Sequence, residues 1–139
     1  MLRALLRPRR VVHAHCDLPC GIYDPAQARV EAESVKAIQT RYQDAEKFKS
    51  AAESVEDYRI RALAIKEARA DLVKDHLWVL WTVYFKPEHV EKYPQLHELF
   101  WKAIHQAGEA KKTMDPAAGE QLVAYIDEIA DIFWQTDKA

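Results

Sequence analysis

Asp24-Pro25-Ala26-Gln27-Ala28-Arg29-Val30 holds the punctuation on which the fold turns. Asp24 is a good N-cap, Pro25 suits a first helical position, and Gln27 completes a capping-box spacing, so a helix is expected to start here. Val30, Ala37, Ile38, Tyr42, Ala45 and Phe48 then recur at helical steps and predict its apolar stripe. A second helix is expected over 55–85, with Leu63, Leu72, Val73, Leu77, Leu80, Trp81 and Tyr84 towards the core, until Lys86-Pro87 stops it. Pro94 opens a third that carries Leu96, Leu99, Phe100, Ala103, Ile104 and Ala107. Asp115-Pro116 repeats the start signal for a fourth, with Leu122, Tyr125, Ile126, Ile129 and Phe133. Four amphipathic helices with short connections predict an all-α fold, an antiparallel up-and-down four-helix bundle over residues 24–139. With 3 glycines and scarce β-type alternation, little room is left for a sheet.

Upstream of that start lies His15-Cys16-Asp17-Leu18-Pro19-Cys20-Gly21-Ile22-Tyr23, which contains both cysteines of the chain. Structural zinc usually takes four protein ligands, and no second Cys or Cys/His pair stands at finger spacing. A local disulfide or two idle thiols are the plain alternatives, the disulfide being mildly disfavoured by so low a cysteine content. Pro19 and Gly21 bracket Cys20, so a turn can carry Cys20 back towards Cys16, with His15 offering a nitrogen beside them. If the chain is cut after Ala14, a free amine, an imidazole, an amide and two thiols converge within a few residues. That is a ligand set for a redox metal.

Residues 1–14 carry Arg3, Arg7, Arg9 and Arg10 and no acidic residue. A secretory signal needs an apolar core of about 7 to 15 residues, and only Val11-Val12 stands there, so export is not expected and a cytoplasmic location is. The Arg9-Arg10 pair likewise has no apolar segment behind it. No stretch of about 18 apolar residues predicts a membrane span. At 139 residues the chain can bury one useful core. Its formal charge of −2, more negative once the leader's arginines are set aside, disfavours a nucleic-acid partner.

The run from His15 to Tyr23 resembles the amino terminus of the mature nickel-containing superoxide dismutases. The resemblance continues through Asp24-Pro25-Ala26-Gln27-Ala28-Arg29, Glu31-Ala32-Glu33-Ser34-Val35-Lys36-Ala37, Ile65-Lys66-Glu67, Val79-Leu80-Trp81, Tyr84-Phe85-Lys86-Pro87, Glu91-Lys92-Tyr93-Pro94, Asp115-Pro116-Ala117 and Ile132-Phe133-Trp134. It implies a propeptide, residues 1–14, removed by a processing peptidase at Ala14-His15, a nickel-binding hook at 15–23, one nickel ion per subunit and a homohexamer. It also implies superoxide as substrate, converted to oxygen and peroxide as the metal alternates between two oxidation states. His15, Cys16 and Cys20 match the metal ligands, with the imidazole of His15 in the axial direction. Glu31 matches the acceptor for that imidazole, and Arg69 the arginine that holds the glutamate from a neighbouring subunit. Tyr23 and Tyr84 match the pair that screens the metal and orders water, while Asp17 and Pro19 shape the hook. Lys86 is a candidate for attracting the superoxide anion. Over 40–57 the resemblance fades, and the connection between the first two helices is longer than it leads one to expect.

The chemistry explains why these residue types stand together. Aqueous nickel is too hard to oxidise for dismutation, so strong anionic donors are needed. The thiolates of Cys16 and Cys20, the deprotonated amide of Cys16 and a free amine on His15 make a planar N2S2 set of the kind that suits nickel(II) or copper(II). A free amine titrates at about 7.7 to 8.0 and a thiol at about 8.5, so binding expels protons and weakens in acid. A nickel-trafficking protein could use the same hook without redox turnover, and a helical assembly module would need no metal. His76, His89, His97 and His105 pair with no Cys or acid at metal spacing and are read as helix-surface or satisfied polar groups. Trp78, Trp81, Trp101 and Trp134 are read as core or subunit-interface residues.

Overall fold

The computed structural model describes residues 21–50 and 53–136. Among the described residues six α-helices follow one another: α1 Ala26–Gln43, α2 Ala45–Phe48, α3 Val55–Val79, α4 Pro87–Lys92, α5 Leu96–Lys112 and α6 Pro116–Gln135. Among the described residues no strand is formed. The four long helices make the antiparallel bundle: α1 packs beside α3 and α6, and α5 closes the ring between α3 and α6. The short helices α2 and α4 sit in the connections.

The Asp115-Pro116 start is as expected, with Asp115 the N-cap, whereas at the first helix Pro25 takes the N-cap position, the helix begins at Ala26, and Asp24 bonds from one residue further out. Asp24 Oδ1 accepts from Ala26 N at 2.8 Å, and Asp115 Oδ1 accepts from Ala117 N at 3.0 Å. On α5 and α6 the expected stripes are the buried ones, with Leu96, Leu99, Phe100, Ala103 and Ala107 facing Leu122, Ile126, Ile129 and Phe133.

The stripe of the first helix is corrected, and that of the second in its first half. On α1 the buried residues are Ala28, Ala32, Val35 and Gln39, while Val30 is 62% exposed. On α3 Val73 and Leu77 are buried as expected, Leu80 is buried just beyond, and Trp81 and Tyr84 pack on the core; Ala62, Lys66 and Ala70 complete the inner face, while Leu63 is 43% exposed. Alanine on the inner faces lets α1 and α3 lie close together, and the bulkier apolar side chains are left outside. Of the tryptophans, Trp81 packs on the core, and Trp78, Trp101 and Trp134 are about half exposed.

Two polar side chains in this core tie three helices together. Lys66 Nζ donates to the carbonyls of Lys111 at 2.6 Å and Thr113 at 3.0 Å, and Gln39 Nε2 donates to those of Ala110 at 3.3 Å and Thr113 at 3.2 Å. The last carbonyls of α5, which have no partner within their own helix, are thereby satisfied. Burial pushes the Lys66 ammonium below its ordinary pKa, against the opposing pull of Glu67 and with a smaller push from Lys111.

Beyond Val79 the second long helix widens into a π-helical turn, Leu80–Tyr84, closed by Phe85 N donating to Leu80 O at 2.9 Å. The extent expected for this helix holds, but its last turn is rewound. A π-turn adds a residue to one turn and so re-aims the side chains that follow, here Tyr84 and Phe85.

At Gly119 of α6, an added Cβ would stand 2.5 Å from Gln39 Oε1 and 2.6 Å from Lys36 Cα. Alanine there gains about 1 kcal/mol of helix propensity. It must also push against the backbone of α1, at a cost of about 1 to 3 kcal/mol or more. Gly119→Ala is therefore expected to lower the melting temperature followed by circular dichroism, and an unchanged or raised value would mean that the two helices separate freely.

Candidate metal and substrate site

The described chain enters through Gly21, whose φ of 68° lies in the left-handed region that favours glycine. The expected turn about Cys20 lies outside the described residues. Ile22 is 80% exposed, and Tyr23 folds back against the bundle core.

Tyr23 meets Tyr84 there. Their ring centroids are 5.5 Å apart, so residues 61 positions apart in the chain come together because α1 begins where the π-turn ends. Tyr84 also packs on Phe133 at 4.4 Å, Phe85 at 5.1 Å and the ring of His89 at 5.8 Å. His89 Nδ1 accepts from Lys86 N at 3.2 Å, which fixes that imidazole. The Tyr84 hydroxyl lies 2.5 Å from Thr136 Oγ1, and Thr136 Oγ1 donates to Phe133 O at 2.6 Å. Thr136 was not foreseen from the sequence, since nothing local marks a threonine at the end of the last helix as a partner for Tyr84.

Glu31 and Arg69 are brought together on adjoining faces of α1 and α3. Arg69 Nη1 donates to both carboxylate oxygens of Glu31, at 3.1 and 3.3 Å. The expectation that this arginine comes from a neighbouring subunit is corrected: the pair forms within one chain, because α1 and α3 pack side by side. Arg29 adds a second latch, to Asp127 of α6 at 2.7 Å, and Lys111 a third, to Asp71 of α3 at 2.8 Å. Lys86 is exposed at the start of α4.

His15, Cys16, Asp17, Pro19 and Cys20 lie outside the described residues. Among the described residues no group of three His, Cys, Asp or Glu side chains could hold a metal ion. His97 lies edge-on to Trp81, and His105 stacks on Trp101.

The family whose profile matches this chain is described as nickel-containing superoxide dismutase, and the match spans residues 10–137. The chain belongs to that family. As a nickel-containing superoxide dismutase it is an oxidoreductase that acts on superoxide with nickel as its cofactor, and a trafficking role without turnover is not favoured. It is 53% identical to the nickel superoxide dismutase of Streptomyces seoulensis and 50% identical to that of Streptomyces coelicolor, each over 100% of both chains. A solved nickel-containing superoxide dismutase, with nickel ligation corresponding to the oxidized state, superposes with a TM-score of 0.78 at 53% identity, covering 90% of this chain and 100% of that one. Solved relatives also include variants in which a histidine at the first position, an aspartate at the third or a tyrosine at the ninth is replaced.

The Glu31–Arg69 pair is half in water on the arginine side, with 44% of that side chain exposed. Such a pair is worth at most about 1 kcal/mol. Arg69→Gln is expected to shift stability in a denaturant titration by no more than about that amount, and a loss several times larger would show that the pair holds the bundle together.

Proposed function

We propose that His15, Cys16 and Cys20 hold the nickel ion, with Tyr23 and Tyr84 forming the wall past which superoxide reaches it. The observation that carries this reading is the meeting of Tyr23 and Tyr84 two residues beyond Gly21, which has a positive φ. The donor chemistry fits the metal: two thiolates, an amide nitrogen and an amine would suit nickel, and Gly21, at a positive φ, stands where the hook would join the bundle. Bound there, nickel supplies one-electron exchange with superoxide. The tyrosines exclude bulky anions and hold water beside the hook, Asp17 and Pro19 shape the approach, and Lys86 draws the anion inward. Glu31, steadied by Arg69, accepts a hydrogen bond from the His15 imidazole and fixes its orientation.

A histidine, an aspartate and a tyrosine at first, third and ninth positions have the spacing of His15, Asp17 and Tyr23, which supports a mature chain beginning at His15. About a tenth of this chain lies beyond the solved relative that is wholly covered, in keeping with a leader of residues 1–14. A processing peptidase is then a required partner. The leader lacks an apolar signal core, and no helix among the described residues is long and apolar enough to cross a membrane, so we assign the enzyme to the cytoplasm.

Cleavage would create a ligand. While Ala14 is attached, the nitrogen of His15 is an amide with a delocalised lone pair. Proteins beginning at Met1, Ala14 and His15, each supplied with nickel, are to be compared for superoxide consumption and for the spectrum of oxidised nickel. Activity is expected only from the last, and equal activity in all three would remove the amine from the ligand set. In the same assay Cys16→Ser and Cys20→Ser are each expected to abolish turnover with helix content unchanged, and an active variant would sink the thiolate mechanism.

The outer faces of α1 and α3 support a homohexamer. Two adjoining grooves, lined by Val30, Ile38, Phe48 and Ile65 among Arg29, Arg41 and Arg69, leave bulky apolar side chains open to water. A second subunit would cover them. Sedimentation of the nickel-loaded protein is expected to give a hexamer, and a monomer throughout would defeat the assignment.

A further inference from the structure

We infer that Thr136 is a positioning residue for the dismutase reaction: it commits the hydroxyl hydrogen of Tyr84, so that towards the substrate side Tyr84 presents only oxygen lone pairs. The inference rests on the reading of Tyr84 as part of the substrate wall. A threonine hydroxyl has a single hydrogen, and a carbonyl oxygen can only accept. Thr136 Oγ1 lies 2.6 Å from the carbonyl of Phe133, so its hydrogen goes there. The 2.5 Å contact between Thr136 Oγ1 and the Tyr84 hydroxyl must then be bridged by the phenolic hydrogen. The result is a directed relay, Tyr84 to Thr136 to the Phe133 carbonyl, closed at the last turn of α6.

The surroundings keep that relay from reversing. Thr136 is 7% exposed, so water does not compete freely for its hydrogen. The Tyr84 ring is held between Phe133 at 4.4 Å and His89 at 5.8 Å, and Tyr93 donates to the carbonyl of Gln135, fastening the same end of α6. A phenol whose hydrogen is spent can accept an O–H from water or from the peroxide product. It cannot donate to a superoxide anion. Tyr84 therefore orders a donor beside the hook and is not the proton source.

Four forms of the chain test this: wild type, Thr136→Val, Thr136→Ser and Tyr84→Phe, together with the Thr136→Val/Tyr84→Phe double variant. The tyrosine Fermi doublet in ultraviolet resonance Raman spectra, recorded with and without nickel, reports whether a phenol donates or accepts, and subtracting the Tyr84→Phe spectrum isolates Tyr84. Tyr84 is expected to be a donor in wild type and in Thr136→Ser, and to lose that signature in Thr136→Val. Loss of one positioned neutral hydrogen bond is expected to lower kcat/KM of Thr136→Val by about two- to tenfold. Thr136→Ser should recover nearly all of it, and Thr136→Val should cost nothing further once Tyr84 is phenylalanine. An acceptor signature for Tyr84 in wild type overturns the inference and needs no variant of Thr136 to fold. So does an equal loss from Thr136→Val in the Tyr84→Phe background, which marks a merely structural role. If Tyr84→Phe impairs turnover while Thr136→Val does not, the inference about Thr136 falls alone. If Tyr84→Phe is fully active, the reading of Tyr84 falls first and carries this one with it.

Discussion

The clamp of Lys66 and Gln39 on the carbonyl end of α5 is the contact on which the rest of the bundle depends. An ammonium with no exposed surface is tolerated only because carbonyls at 2.6 and 3.0 Å replace its water. Gln39 reaches the same turn from α1, so three helices are registered against one another by a handful of directional bonds. Hydrophobic contact alone would not do this: Ala28, Ala32, Ala62 and Ala70 make a smooth interface that could slide. The polar clamp sets where along that interface the helices stop, and with it where Glu31 of α1 meets Arg69 of α3.

At the opposite end of the bundle the contacts are aromatic. The first turn of α1, the π-turn after α3 and the last turn of α6 converge there, and Tyr23, Tyr84, Phe85 and Phe133 fill the space between them. The division suits the chemistry of the family. Polar bonds at one end fix the frame, and stiff rings fill the other.

How much of this could be read in advance follows from how local each feature is. The starts of α1 and α6 were legible because an aspartate before a proline bonds an amide two residues on. The stripes of α5 and α6 were legible because large apolar side chains there point inward. Those of α1 and of the first half of α3 were misread for the opposite reason: there the inner faces carry alanines, a lysine and a glutamine, while Val30 and Leu63 point out. The hook's residues and the pairing of Glu31 with Arg69 came from family resemblance, and the single-chain origin of that pair needed the packing of α1 on α3. The π-turn and the bond from Tyr84 to Thr136, 52 residues away, depend on tertiary contacts that no local pattern encodes.

The short helix α2 lies in the connection where this chain departs most from its expected pattern, at the end of the bundle away from Tyr23 and Tyr84. Lengthening a loop is cheap, about 0.6 kcal/mol for each doubling. Residues can therefore be gained or lost between Gln43 and Val55 without moving the aromatic wall. Phe48 of that connection nevertheless borders the groove beside Ile38 and Ile65. Drift in this one loop would therefore reshape the groove while leaving the aromatic end of the bundle in place.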